Sequence, residues 1–284
     1  MNQFLKSFIL KRAPVLALVA VAVLSFQNCA KANFSGGNDP SVLGSPNTDQ
    51  GIVRDNLNQP NTNPGSCYTV LHQQTVPVKM LFVVDTSGSN RGFNGTDDRR
   101  VVRGESLQTF FNDLGTRANF NWGFITFHAS IATPMIASGV LPIFSSQTAD
   151  MQNALNAFKA NYQDDGGNTP YEAALDMAQQ AILNDRGSND SKYIVVFLSD
   201  GMPDPAVATD VLINHVRQIV GTKPGRVTFN TVYYGSGGNT AAIERLSGMA
   251  KAGSGNFLNT NLNPTQKSFL ISNIVNIPGQ VCTP

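Results

Sequence analysis

The sequence predicts an α/β domain with a doubly wound, mostly parallel central sheet flanked by helices. Three observations point there. Val78-Lys79-Met80-Leu81-Phe82-Val83-Val84 and Tyr193-Ile194-Val195-Val196-Phe197-Leu198 are near-continuous apolar runs rich in β-branched residues, the pattern of strands buried on both faces. Strand and helix signals alternate along the rest of the chain, as a doubly wound sheet requires. Each apolar run ends at an acidic residue, Asp85 and Ser199-Asp200, and an open α/β sheet binds ligands outside the carboxyl ends of neighbouring strands where the winding reverses.

In chain order, the first element is an export signal over residues 1–28. Lys6, Lys11 and Arg12 precede an apolar stretch from Val15 to Phe26, which is the layout of a signal peptide and is shorter than the roughly 20 residues a membrane span needs. Cys29 follows at once, and the segment resembles a bacterial lipoprotein signal, with Asn28 standing where a small residue is usual. That resemblance implies cleavage before Cys29, lipidation of its thiol and anchoring to a membrane of the bacterial cell envelope; Ala30 at the next position fits an outer membrane lipoprotein, surface-exposed or facing the periplasm. Residues 29–66 are crowded with Asn, Gly, Pro, Ser, Asp and Thr and read as a disordered tether, spanning on the order of 35 Å as a flexible coil.

Residues 67–284 form the domain. Buried strands are expected at about 79–85, 121–128, 192–199 and 227–234, with a weaker signal at 255–259. Helical patterns fall near 99–114, 149–161, 170–184, 206–220, 240–251 and 265–275. The length suffices for a sizeable core and 41% hydrophobic residues is ordinary for a soluble domain. A formal net charge of +1, with no dense Lys/Arg run beyond the signal, argues against nucleic acid as a partner.

The chemistry concentrates after the two apolar runs. Asp85-Thr86-Ser87-Gly88-Ser89 offers one carboxylate and two hydroxyls on alternate residues of a tight loop, a donor set that suits a hard cation such as Mg²⁺. Gly166-Gly167-Asn168-Thr169-Pro170 delivers another hydroxyl ahead of a helix, and Ser199-Asp200-Gly201 a second carboxylate. Asp and Ser after a strand also serve as plain helix caps. Taken together, Asp85, Ser87, Ser89, Thr169 and Asp200 resemble the metal-ion-dependent adhesion site of a von Willebrand factor type A domain, similar to integrin I domains, over roughly residues 78–277.

The resemblance implies that Ser87, Ser89 and Thr169 touch a Mg²⁺ ion (or Mn²⁺; Ca²⁺ also fits) while Asp85 and Asp200 hold it largely through water, leaving a position open for a carboxylate from a protein or polymer ligand. It also implies an antiparallel edge strand, for which Ile131–Ile136 is the candidate, and a terminal helix whose sliding is coupled to the metal, here Thr265 to Asn276 with Phe269, Leu270 and Ile274 as its packing face. With Cys29 acylated, Cys67 and Cys282 remain and bracket the domain. Some members of the family join their ends by a disulfide, so a Cys67–Cys282 bond is implied; two separate buried thiols are the alternative.

Beside the site, Asn90–Asp98 is longer than the family usually carries before the helix. Its Arg91 and Phe93 are residue types enriched at interfaces, or the stretch is a solvated loop ending in an Asp cap. His128, at the end of the second strand, is a further candidate for the ligand rim. Asp164 and Asp165 add charge near Thr169 or solvate the loop. No residue is evidently poised as base or nucleophile, so the expectation is a binding protein and not an enzyme: a lipid-anchored surface adhesin, or alternatively a periplasmic subunit of an envelope assembly.

Overall fold

In a computed structural model, the described residues are 67–69, 76–92, 95–235, 238–260, 268–278 and 280–282, with backbone pairing alone described at 67–69 and 280–282. The signal peptide, the tether, Cys29 and Phe93 lie outside them. The strands, in chain order, are β1 (Cys67–Thr69), β2 (Val78–Asp85), β3 (Phe120–His128), β4 (Ile131–Pro134), β5 (Ala137–Ser138), β6 (Leu141–Pro142), β7 (Lys192–Ser199), β8 (Val227–Tyr233), β9 (Ser254–Asn259) and β10 (Gln280–Cys282). The helices are α1 (Val101–Leu114), α2 (Thr148–Ala160), α3 (Tyr171–Asn184), α4 (Thr209–Gly221) and α5 (Thr240–Ala252).

Six strands form the central sheet in the order β4-β3-β2-β7-β8-β9. All neighbours are parallel except β4, which pairs antiparallel with β3 as the edge strand. From β2 the chain winds outward to β3, then returns to β7 on the other side and continues to β8 and β9. The winding therefore reverses between β2 and β7, where Val84 stands opposite Leu198, and the carboxyl ends of those two strands make the crevice in which such sheets bind ligands.

Period-two alternation sends the residues of β2 to opposite faces. Met80, Phe82 and Val84 join one buried cluster with Leu107 and Phe110 of α1, Leu155 and Phe158 of α2, and Phe269 and Ile274 of the terminal segment. Leu81 and Val83 join the other with Leu175 of α3, Leu212 of α4 and Leu246 of α5. Aromatic rings pack against one another in both. Phe82 stacks on Trp122 with centroids 6.4 Å apart, and on the opposite face Phe127 and Tyr171 flank Phe197 at 5.1 and 4.9 Å. Pairs of this kind add about 0.5–1.5 kcal/mol beyond their burial.

The weak strand signal at 255–259 has a structural cause. Between β8 and β9 the register shifts at Phe229/Thr231, and a Cβ on Gly255 would lie 2.3 Å from the Phe229 carbonyl oxygen. Glycine is required by that approach, and its poor strand propensity dilutes the pattern. Asn230, buried, repairs the irregularity by accepting from Asn256 N at 2.9 Å and donating to Val195 O at 3.1 Å.

The terminal segment departs from the sequence expectation. In place of an α-helix over 265–275, its described residues 268–278 hold a single 3₁₀ turn, Ile271–Asn273. Phe269, Ile271, Ile274, Val275 and Ile277 are buried, while Leu270 is 52% exposed, so Leu270 does not belong to the packing face. Helix-forming backbone groups are taken elsewhere: Phe269 N donates to Ser106 Oγ at 2.8 Å, and Ile274 O accepts from Asn256 Nδ2 at 2.8 Å. Among the described residues a sliding terminal helix has no counterpart. The antiparallel pair of β1 and β10 puts Cys67 directly opposite Cys282.

Candidate functional site

Asp85 closes β2 and is fully buried. Its Oδ1 accepts the backbone N–H of Ser87 at 2.8 Å, which folds the following loop back over the strand end. Its Oδ2 accepts the hydroxyl of Ser199, the last residue of β7, at 2.6 Å. The Ser87 and Ser89 hydroxyls are 3.1 Å apart, and Ser89 Oγ donates to Asp200 Oδ1 at 2.9 Å. Four of the five expected residues are thus joined by hydrogen bonds across the switch point, with Ser89 exposed at the mouth.

Thr169 is brought to the same end of the sheet by its loop. Gly166 N donates to Thr86 O and Gly88 N to Gly167 O, each at 3.0 Å. Thr169 and Asp204, just past Asp200, exchange backbone hydrogen bonds at 3.0 Å in an isolated bridge. Gly167 sits in a left-handed conformation, and a Cβ there would lie 2.8 Å from Ala129 Cα, so this loop is packed tightly between the Asp85 loop and the β3–β4 turn. The Tyr171 ring beneath it anchors the third loop by donating its hydroxyl to Gly201 O at 2.8 Å.

The electrostatics of the pair are unbalanced. Burial, followed by the neighbouring Asp200 charge, pushes the Asp85 carboxyl up from 3.8 to about 7, against the opposing help of the Ser199 and Ser87 hydrogen bonds. Asp200 Oδ2 is buried without a hydrogen-bond partner. Buried charged oxygens are normally satisfied, and this one belongs to a cluster that also holds a second carboxylate and the Ser87 and Ser89 hydroxyls. A hard divalent cation is the group that such an all-oxygen set accommodates, so the residues present fit a metal. Among the described residues no group of three or more His, Cys, Asp or Glu side chains offers an alternative centre.

Of the rim candidates, Arg91 follows the Ser loop directly and is exposed, and His128 lies half-buried at the carboxyl end of β3. Sequence reasoning missed several neighbours. Ser199 is the direct partner of Asp85, and the only trace it leaves in sequence is its place before Asp200. Arg245, on α5, donates to Met202 Sδ at 2.8 Å and so brings a cation beside the Asp200 loop. Asp97 does cap α1, accepting the N–H groups of Val102 and Arg103 at 2.7 and 2.9 Å.

Asp165 is a correction. It does not solvate the loop; it is 1% exposed and paired with Arg100 and Arg103 at 2.8 and 2.9 Å, whereas Asp164 is exposed. His215 bridges to Asp176 at 3.2 Å, away from the site.

Residues 80–202 match the family model of the von Willebrand factor type A domain. The type A match begins in β2 and ends two residues past Asp200, so it takes in all five candidate metal-site residues. No curated protein matches the chain significantly. Among solved structures, conserved hypothetical protein BatB from Bacteroides thetaiotaomicron is similar at 13% identity, covering 66% of this chain and 91% of that one with a TM-score of 0.45. The three N-terminal domains of the type V pili tip protein Mfa5 from Porphyromonas gingivalis are similar at 11% identity, 69% and 48% coverage and a TM-score of 0.48. Proximal thread matrix protein 1 from the mussel byssus, with a zinc-occupied MIDAS motif, is similar at 16% identity, 69% and 43% coverage and a TM-score of 0.45. The chain spans less than half the length of the latter two, and all three likenesses are distant.

Proposed function

We propose that this protein is a type A adhesin that holds a divalent cation, Mg²⁺ or Mn²⁺, among Asp85, Ser87, Ser89, Thr169 and Asp200, and uses it to capture a carboxylate on a protein or polymer partner. The observation that carries the reading is the orphaned, buried Asp200 Oδ2 beside the equally buried Asp85. Two carboxylates sharing a crevice, neither of them in an ion pair among the described residues, are costly, and the family match over 80–202 supports a cation as the missing partner. When bound, the cation supplies an electrophilic site for an anionic oxygen.

The chain's own residues do the rest. Ser199 and the Ser87 amide fix both oxygens of Asp85, so that carboxylate is oriented before a cation arrives. Ser89 and Gly201 keep the mouth open to solvent. Arg91, exposed two residues after Ser89, His128 at the carboxyl end of β3, and Arg245, which reaches Met202 in the Asp200 loop, are the rim of this reading, with donor groups suited to an acidic partner. We further read Cys29 as the lipid attachment point and residues 29–66 as the tether that presents the domain from the envelope. No helix among the described residues is long and apolar enough to cross a membrane.

Isothermal titration of the full chain with Mg²⁺, Mn²⁺ and Ca²⁺, beside Asp85→Ala, tests the reading. Saturable binding to one site, lost in the variant, is the expected result. Absence of binding by the parent chain, or equal binding by both, overturns it.

A further inference from the structure

Beside the Asp85 and Thr169 loops lies a set of buried, ion-paired charges outside the proposed cation site. Arg103, on the first turns of α1, is 0% exposed and Asp165 is 1% exposed. The Arg103 guanidinium donates to Asp97 Oδ2 at 2.8 Å, to Asp165 Oδ2 at 2.9 Å and to the backbone oxygen of Asp85. Asp165 Oδ1 is taken by Arg100 Nε at 2.8 Å. Both oxygens of Asp165 are therefore committed, and one side chain, Arg103, touches the Asp85 loop and the Thr169 loop at once.

Two arginines and two aspartates balance in charge, which is how buried ions persist. The arrangement is also strained: Arg99 and Arg100 both adopt left-handed backbone, with φ of 62° and 55°. Non-glycine residues hold such conformations only where the surroundings over-determine them, and Arg100 is held by Asp165, by a bond to Phe158 O at 2.5 Å and by stacking over the Phe158 ring at 4.6 Å.

We propose that Arg103 and Asp165 are positioning residues that clamp the Thr169 loop onto the Asp85 loop, so that the metal site is assembled before any cation binds. The inference rests on the metal reading of the site and deepens it: Thr169 is fixed in place by the chain and not recruited by the ion. Asp165 lies four residues before Thr169, and the intervening Gly166 and Gly167 are themselves bonded to Thr86 and Gly88. The loop has little room to relocate while the ion pairs stand.

The test is a double-mutant cycle on the full chain, read by Mn²⁺ titration, with circular dichroism to establish folding. Asp165→Asn is expected to weaken Mn²⁺ by about 10- to 100-fold, as outer-shell partners of metal ligands do. Thr169→Ala is expected to cost clearly less in the Asp165→Asn background than in the parent, because the threonine has already been released. Parent-like affinity in folded Asp165→Asn, or full additivity of the two changes, overturns the clamp.

If Asp165→Asn does not fold, amide hydrogen exchange of the parent chain decides. The clamp predicts that Gly166 and Thr169 amides are protected without metal and change little on Mn²⁺ saturation. Strong slowing by Mn²⁺ overturns it. A parent chain that binds no Mn²⁺ overturns the metal reading itself, a result separate from either failure of the clamp.

Discussion

Ser199, the last residue of β7, hydrogen-bonds across one inter-strand gap to Asp85 Oδ2, the last residue of β2, at 2.6 Å. The bond ties together the two strands between which the sheet reverses direction, and it orients the carboxylate most central to the site. Ser199→Ala removes a donor to a buried acidic group, which typically costs about 1.5–3 kcal/mol. Chemical denaturation should show a loss of that size, and Mn²⁺ titration should show affinity reduced about 10-fold or more, with the far-ultraviolet spectrum unchanged.

Metal addition and removal should be visible in stability. A ligand at about 100 times its dissociation constant stabilises the folded state by about 2.7 kcal/mol, and at roughly 2–4 °C per kcal/mol for a domain of this size the melting temperature should rise by about 5–10 °C. Chelation should reverse the shift. Asp200→Asn, which neutralises the carboxylate with the orphaned oxygen, should abolish it in differential scanning fluorimetry.

Packing of the terminal segment separates neighbouring residues. Ile271 is 1% exposed and Leu270 52% exposed, so Ile271→Ala should cost about 2–5 kcal/mol while Leu270→Ala should stay within about 0.5 kcal/mol of the parent. Similar losses at both positions in denaturant titrations would restore the helix that the sequence pattern suggests.

Cys67 and Cys282 stand opposite each other in an antiparallel pair, a placement that suits the disulfide implied by the family resemblance. Non-reducing peptide mapping of protein made in an oxidising compartment should recover the two cysteines in one linked fragment. Cys67→Ser should then lower stability by about 2–5 kcal/mol; recovery of both as free thiols would count against the bond.

The fold was legible because parallel strands buried on both faces leave continuous apolar runs, and β2 and β7 fall within a residue of their expected limits. The clustering of the candidate residues was legible because Asp85, Ser87 and Ser89 lie within one loop, and because strand ends mark where Thr169 and Asp200 come near them. What escaped reading is long-range. Arg103 and Asp165 are 62 positions apart, and a buried arginine on a helix looks in sequence like any solvated polar residue. Phe269, Leu270 and Ile274 have helical spacing, yet Ser268, Ser272, Asn273 and Asn276 are weak helix formers, and tertiary bonds from Ser106 and Asn256 claim the backbone. Tertiary contacts decided that segment, and no local pattern records them.

The pairing of β1 with β10 gives the domain a mechanical character. Because the two strands run antiparallel with Cys67 against Cys282, the chain enters and leaves side by side. With the two cysteines bonded, tension drawn between those points is borne by the bond itself; with them reduced, it falls first on a three-residue ladder, which opens like a zipper one rung at a time. A load borne at the crevice between β2 and β7 and carried back through residue 67 alone takes another route, through strands held edge to edge. The resistance of this protein to pulling should therefore depend on where it is gripped.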